Sequence, residues 1–162
     1  MKNKMYHLSL YFDEETNQRF TFLNEQIEKE LHQNYLKKNN IPFHLTVATY
    51  KKIDEKNFIE LGNKVFNSDK NQQLYFVSFG CFQKSTLYVL PVYNEFLNQF
   101  ILKIHQTFEE YVSISQNNRY LPYHFVPHVS LSRKLSEQQT NQAFKILNHY
   151  FHRFMGKLLK SF

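Results

Sequence analysis

Two stretches of the sequence share one pattern, Pro42-Phe43-His44-Leu45-Thr46-Val47 and Pro127-His128-Val129-Ser130-Leu131. Each places a histidine two residues before a hydroxyl side chain, within an alternation of apolar and polar residues that is typical of a β-strand. Because residues i and i+2 of a strand point to the same face, His44 should share a face with Thr46, and His128 with Ser130. If the two strands lie side by side, we expect two imidazoles and two hydroxyls to converge on one cleft.

The tripeptide His-x-Ser/Thr is weak evidence by itself, because the 162 residues include 8 histidines. It occurs four times, beginning at His7, His44, His105 and His128. His105 lies in a predicted helix, where residues two apart do not face each other, so that match is interpreted as accidental. His7 lies in an alternating run of its own, and we expect it on the cleft wall or at a sheet edge. His44 and His128 differ because a nearby proline favours extended backbone before each.

Composition limits the classes of function. A chain of 162 residues predicts one domain, and a formal net charge of +6 favours an anionic ligand, nucleic acid included, without establishing one. A single cysteine, Cys81, excludes an intrachain disulfide. We find neither the apolar segment of a signal peptide nor one long enough to span a membrane, which predicts a cytoplasmic protein without a membrane partner.

Periodicity predicts strands alternating with long helices. Predicted strands cover Tyr6–Phe12, Phe43–Tyr50, Leu74–Phe82, Thr86–Leu90 and Val126–Ser132, with a last one within 152–162. Predicted helices cover 13–38, 54–66 with Asp54 as N-cap, 91–112 opened by Pro91, and 136–150 opened by a capping box at Ser136. This order predicts an α+β or α/β fold with helices on one sheet face and an open polar face that forms the cleft. The polar segment 67–71 is interpreted as a boundary between two halves.

With its two motifs 84 residues apart, the chain resembles the 2H phosphoesterase superfamily, and within it the bacterial 2′-5′ RNA ligase-like proteins and cyclic phosphodiesterases. The resemblance rests on residues 6–13, 41–46, 87–92 and 127–130. It implies an α+β fold with bilobal pseudo-two-fold duplication, in which antiparallel sheets form the central cleft and helices pack on the outer faces. Within a single domain, 1–162, we expect lobe one at about 1–68 and lobe two at about 72–162. Such proteins usually continue for another strand or two, so we expect shortened C-terminal strands.

The resemblance also implies His44 and His128 as the catalytic pair and Thr46 and Ser130 as phosphate-binding hydroxyls. The implied reaction is at a 2′,3′-cyclic phosphate or a 2′-5′ linkage of RNA or a nucleotide, without metal or other cofactor. Imidazole suits this chemistry because it exchanges a proton near neutral pH, so one histidine can activate water while the other protonates the leaving oxygen. The residues leave open which is acid and which is base; family analogy favours His44 as the acid in hydrolysis.

The loop before the second motif offers substrate contacts. Arg119, Tyr120, Tyr123 and Phe125 could meet a base or a flanking phosphate. The alternative is that Tyr123 and Phe125 anchor the loop to the core. Arg133 and Lys134, just past the motif, are interpreted as surface residues.

Two other functions remain open. One is an RNA- or nucleotide-binding module of the same fold without turnover, although binding alone does not require two proton carriers. The other is a metallohydrolase built from His44, His124 and His128, for which neither motif supplies a carboxylate and the chain has no His-Glu-x-x-His. The physiological substrate, the direction of reaction and the oligomeric state are not determined by the sequence.

Overall fold

The computed structural model describes residues 5–66, 72–112 and 118–159 of the chain. Its strands are β1 (Tyr6–Leu10), β2 (Leu45–Tyr50), β3 (Gln73–Phe82), β4 (Thr86–Pro91), β5 (Val129–Ser132) and β6 (Phe154–Lys157). Its helices are α1 (Glu14–Leu31), α2 (Tyr35–Lys38), α3 (Glu55–Phe66), α4 (Glu95–Thr107), α5 (Glu109–Val112) and α6 (Glu137–Tyr150), with a 3₁₀ turn at Asn118–Tyr120. The predicted α+β class with antiparallel sheets is confirmed.

The strands form two antiparallel sheets, β1-β2 and β5-β4-β3-β6. The two motif strands, β2 and β5, therefore belong to different sheets, and they are not the side-by-side neighbours that the sequence pattern suggested. Instead, β2 pairs with β1 and β5 pairs with β4. In each pair a long helix lies between the two strands in sequence. The motif residues meet across the space between the sheets.

A β-bulge interrupts the pairing of β1 with β2. Ser9 lies opposite Thr46 and His7 lies opposite Thr49, so that β2 contains one residue more than β1 between these pairs. Residues directly opposite each other in a sheet share a face. The extra residue therefore places Thr46 and Thr49, three apart in sequence, on the same face as His7 and Ser9.

Two helix predictions need correction. The helix predicted over 13–38 ends at Leu31, because His32 adopts left-handed backbone with φ of 51° and its N–H donates to the Glu28 carbonyl at 2.8 Å. The helix predicted from Pro91 begins at Glu95 instead. Pro91 is the last residue of β4, because the following N–H, that of Val92, still donates to β3 at the Tyr75 carbonyl.

The predicted starts of α3 and α6 are confirmed, whereas β1, β2 and β5 are shorter than predicted and the helix predicted through 112 is interrupted at Phe108. The Asp54 carboxylate accepts from the Asn57 N–H at 3.2 Å at the start of α3. At the start of α6, Ser136 and Gln139 make both hydrogen bonds of a capping box. A strand is present within 152–162 as β6. The proposed boundary segment 67–71 lies outside the described residues.

Helix α1, from the first half of the chain, packs on the four-stranded sheet beside α6. Asn24 of α1 donates to the Leu131 carbonyl of β5 at 2.7 Å, and the Thr16 hydroxyl accepts from the Lys157 N–H of β6 at 2.9 Å. Phe20, which is fully buried, lies in the same apolar layer as the rings of β3 and β6. The first half thus supplies a covering helix for the sheet of the second half.

Helix α5 and Phe108 just before it, from the second half, pack on β2. The ring of Tyr50 on β2 lies 6.2 Å from that of Phe108 and 6.3 Å from that of Tyr111. Phe66 of α3 contacts Phe100 of α4 with ring centroids 5.2 Å apart. The predicted lobes, about 1–68 and 72–162, therefore do not coincide with the packing units, since each half contributes a helix to the sheet of the other, and the buried apolar residues form one core.

The segment after β6 joins the two sheets. The Leu158 N–H donates to the Gln72 carbonyl at 2.9 Å, and the Leu159 N–H donates to the Tyr11 carbonyl at 2.8 Å. Asp13, after β1, donates its N–H to the Lys157 carbonyl at 3.0 Å. Among the described helices, none is both long and apolar enough to cross a membrane.

Candidate active site

One cavity of about 670 Å³ lies between the two sheets, and all four motif residues line it: His44, Thr46, His128 and Ser130. Its wall also includes His7, Thr49, Thr86, Arg119, Tyr120, His124 and Arg133. Among the described residues, no aspartate or glutamate lines this cavity. The sequence prediction that the two motifs face one cleft is thus matched by the geometry, and the cleft is cationic.

Both motif histidines are held by a backbone carbonyl two residues earlier in the chain. The Nδ1 atom of His44 lies 2.7 Å from the Pro42 oxygen, and that of His128 lies 2.8 Å from the Val126 oxygen. Because a carbonyl oxygen only accepts hydrogen bonds, Nδ1 carries a proton in each ring. The Nε2 atom of each ring is then the one that accepts or donates the proton of a reaction.

These carbonyl partners could not be identified from the sequence. The motif places the histidine by strand alternation, but Nδ1 meets the carbonyl only because residues 42–44 and 126–128 approach β2 and β5 in irregular backbone outside the strands. The nearby prolines, which favour extended backbone, were the only related signal.

The environment of His128 favours its neutral form. Its ring packs against two aromatic rings, at 4.8 Å from that of Phe82 and 5.5 Å from that of Tyr88. Burial is the main reason that the pKa of His128 lies below its ordinary value of 6.5. The positive charges of His44 and Arg133 lower this pKa further, while the hydrogen bond to the Val126 carbonyl opposes the shift.

A chain of hydroxyls surrounds Thr46. The Thr46 side chain is buried, and its hydroxyl oxygen lies 3.3 Å from the hydroxyl oxygen of Ser9 on β1. Tyr120 contacts it from the other side: burial raises the pKa of the Tyr120 phenol, and a hydrogen bond to Thr46 opposes that rise. His105 of α4 bonds the Tyr120 carbonyl through Nε2 at 2.9 Å and fixes this turn. His105 does not line the cavity, in agreement with its interpretation as an accidental motif.

Of the predicted substrate contacts in the loop, two lie at the cleft and two do not. Arg119 and Tyr120 line the cavity. Tyr123 does not, because its left-handed backbone, with φ of 70°, turns the side chain outward and leaves it 94% exposed. Phe125 belongs to the core, where its ring lies 6.1 Å from that of Tyr93. Phe125 is thus a core anchor, as the alternative expected, while substrate contact by Tyr123 stays a prediction. Residues 113–117 of the predicted loop lie outside the described part of the chain.

Arg133 is exposed, as its interpretation as a surface residue predicted, and it also lines the cavity. Strand alternation would have turned it away from the face of His128 and Ser130, but β5 ends at Ser132, so alternation no longer applies. Lys134 does not line the cavity, and its ammonium group lies 4.9 Å from the ring centroid of Tyr35. His7 lies on the cleft wall, as expected.

Within residues 5–66, 72–112 and 118–159, no three His, Cys, Asp or Glu side chains form a group that could hold a metal ion. The His124 side chain lines the cavity with His44 and His128, but no carboxylate of the described chain joins them there.

No protein-family model matches the chain, and no curated protein matches it significantly. The residues of the cleft are therefore the basis for assigning a function.

Proposed function

We propose that the protein is a metal-independent phosphodiesterase of the 2H type, acting on the 2′,3′-cyclic phosphate of RNA or of a nucleotide. One observation carries the proposal: two histidines line one cavity, and each has its Nδ1 bound to a backbone carbonyl, which leaves Nε2 for proton transfer. The absence of a carboxylate among the described lining residues suits a phosphate ligand, since no anionic side chain there would repel it.

In the proposed hydrolysis, Nε2 of His128 takes a proton from water, and the water oxygen forms a bond to phosphorus. The bond from phosphorus to one ribose oxygen breaks, and Nε2 of His44 donates its proton to that oxygen. The product is a phosphomonoester, and the enzyme regains its starting state when a proton passes from His128 to His44 through solvent. A positioned general acid or base contributes on the order of 10²–10⁴ in rate.

The assignment of roles is supported by the burial of His128. A lowered pKa keeps this ring unprotonated near neutral pH, which is the state that a general base needs. His44 is then the acid, in agreement with the family analogy. With the roles exchanged, the same pair would catalyse ligation through a 2′ oxygen.

Thr46 and Ser130 are proposed to donate hydrogen bonds to the non-bridging phosphate oxygens, where they stabilise charge in the transition state. A hydroxyl has one proton and two lone pairs. In the free protein the Thr46 hydroxyl donates to the Tyr120 oxygen; when phosphate binds, this proton is proposed to turn to a phosphate oxygen while Ser9 donates to the Thr46 oxygen. Tyr120 is thus a positioning residue, and Arg119 is a candidate contact for the rest of an RNA or nucleotide ligand.

We also propose that the two halves arose by duplication, as the resemblance implies. The order strand, helix, motif strand, helix occurs as β1-α1-β2-α3 and again as β4-α4-β5-α6, with a short helix added in each. In both halves the motif strand is antiparallel to the first strand. In both, the histidine Nδ1 is bound to the carbonyl two residues before it.

The test is hydrolysis of a short RNA that ends in a 2′,3′-cyclic phosphate, with EDTA present. We expect wild type to release one phosphomonoester isomer, and His44→Ala and His128→Ala each to lose on the order of 10²–10⁴ in kcat/KM. The matched control is His152→Ala, because His152 is exposed and outside the cavity.

Equal activity in all four proteins would overturn the proposal. A folded wild type that binds this RNA without turning it over would also overturn it, in favour of the binding module.

A further inference from the structure

We infer that His7 and Thr49, with Arg133 beside them, form a second anion-binding subsite in the cleft, which takes a second phosphoryl group of the same substrate. This inference rests on the proposed function and specifies its substrate. We call these three residues the β1 subsite.

The β-bulge between β1 and β2 determines which residues line the β1 subsite. It brings Thr49 directly opposite His7 and onto the face that carries Thr46 and Ser9. Without the extra residue of β2, Thr49 would point away from Thr46. Both His7 and Thr49 line the cavity as a result.

The β1 subsite contains an unsatisfied hydroxyl. Thr49 is 3% exposed, and its Oγ1 atom is buried without a hydrogen-bond partner in the described structure. Buried hydroxyls in native proteins almost always have a partner, and an exception calls for an explanation. Because Thr49 lines a cavity proposed to bind phosphate, we assign a ligand oxygen as the partner of this hydroxyl, which reaches the cavity by rotation of the Thr49 side chain.

The β1 subsite also contains positive charge. Arg133 lines the same cavity, and its positive charge reaches both His7 and His128. Burial, His44 and Arg133, in that order, lower the pKa of His7, so these cationic groups lie close together without a compensating carboxylate among the described lining residues. An anion placed among them relieves this repulsion, and the His7 ring can donate a hydrogen bond in either charge state.

The β1 subsite is separated from the reacting phosphate, which the two motifs are proposed to bind. His7 lies two residues along β1 from Ser9, the neighbour of Thr46, which places it about 7 Å away along the strand. Thr46 and Ser130 are proposed to bind the two non-bridging oxygens of the reacting phosphate, so we assign the anion at the β1 subsite to a second phosphoryl group. In a nucleotide that ends in a cyclic phosphate, this group is either a 5′-phosphate on the same nucleoside or the phosphodiester to the preceding nucleotide.

Three substrates test the inference: a nucleoside 2′,3′-cyclic phosphate, the same compound with a 5′-phosphate, and a dinucleotide that ends in the cyclic phosphate. We expect wild type to prefer at least one of the two larger substrates by at least about tenfold in kcat/KM, the effect of a hydrogen bond to a charged group. The substrate that gains identifies the source of the second phosphoryl group. In His7→Gln and Thr49→Val this preference should fall several-fold.

The matched control for charge is Lys134→Ala, which lies next to Arg133 in sequence but outside the cavity and should keep the wild-type preference. Thr49→Val has a second readout: because the hydroxyl has no partner in the free protein, we expect its melting temperature to be equal to or above that of wild type. A lower melting temperature would show that the hydroxyl is satisfied internally.

Equal kcat/KM for the three substrates in wild type would overturn the β1 subsite, as would a preference that survives in both variants. Either result would leave the proposed function intact as long as wild type hydrolyses the plain cyclic phosphate. Failure on all three substrates would count against the proposed function itself.

Discussion

At the residue scale, the carbonyls of Pro42 and Val126 decide how the two motif histidines can act. Each hydrogen bond fixes the rotation of an imidazole and commits its Nδ1, so that only Nε2 is available to a ligand. The two rings are held alike, yet His128 is packed against Phe82 and Tyr88 and its pKa is lowered. This difference in surroundings gives two identical side chains different proposed roles.

A pH profile tests this difference. Because burial lowers the pKa of His128, the proposed base stays unprotonated from neutral pH to below 6.5, and the acid limb of the kcat/KM profile should lie at that lowered pKa. Arg133→Gln removes a positive charge that lowers this pKa, so the acid limb should move to higher pH. The measurement is kcat/KM on the plain cyclic phosphate between pH 4.5 and 8, in steps of about 0.5.

Lys134→Gln is the control, since it removes the same charge outside the cavity. An equal movement of the acid limb in both variants, or a movement to lower pH in Arg133→Gln, would contradict the assignment of His128 as the base.

Strand alternation led to the prediction that His44, Thr46, His128 and Ser130 face one cleft, and all four do line one cavity, although both histidines lie just before their strands. It could not predict Thr49 or Arg133. Thr49 reaches the cleft through a bulge, and Arg133 lies beyond the end of β5, so both depend on where regular pairing fails. The left-handed backbone of Tyr123, which keeps its side chain out of the cavity wall, likewise has no signature in its residue type.

At the scale of the elements, the end of α1 shows the limit of periodicity. Apolar residues continue at helical spacing through Tyr35, and Leu36 of α2 is buried, so the pattern does not show the interruption at 32–34. Left-handed helix ends are usually marked by glycine, but here the residue is His32. The length of α1 was therefore overestimated, while α3 and α6, which have acceptor side chains at their N-caps, were predicted well.

His32→Gly should stabilise the protein. A non-glycine residue in left-handed backbone costs about 1–2 kcal/mol, and glycine removes this cost. Glycine also increases the conformational entropy of the unfolded chain, so the net gain in the free energy of unfolding should be up to about 1 kcal/mol. His32 is exposed and accepts or donates no side-chain hydrogen bond among those described, so little else is lost. The measurement is the free energy of unfolding in urea.

Gln33→Gly is the matched control one residue further on. Gln33 is not in left-handed backbone, so glycine there brings only the entropic cost and should destabilise by up to about 1 kcal/mol. Stabilisation by both substitutions, or by neither, would show that backbone strain at His32 is not the cause.

At the scale of the whole molecule, the exchange of helices joins the two sheets into one core. Helix α1 covers the four-stranded sheet, while α5 and Phe108 pack on β2. The residues after β6 add a second connection, because their backbone bonds both to Gln72 and to Tyr11. The sequence did not predict this arrangement, since local periodicity shows which helix face is apolar but not which sheet will cover it.

Leu158 and Leu159 provide a matched pair for testing this connection. Leu158 is 7% exposed and belongs to the core, so Leu158→Ala should cost about 2–5 kcal/mol through lost burial and a cavity. Leu159 is 52% exposed, so Leu159→Ala should change the stability by no more than about 0.5 kcal/mol. Both variants keep the backbone hydrogen bonds, and urea unfolding compares them. Equal losses would show that the side chain of Leu158 is not a core contact.

The exchange of helices also means that the cleft cannot be assembled by either half alone. A chain divided between residues 66 and 72 yields one fragment whose α1 lacks the sheet that it covers and another whose α5 lacks the strand that it packs on. Each fragment buries its apolar helix face only by binding the other, and that association also brings His44 to His128. The two fragments should therefore behave as a complementation pair, in which catalytic activity is observed only when the two fragments associate.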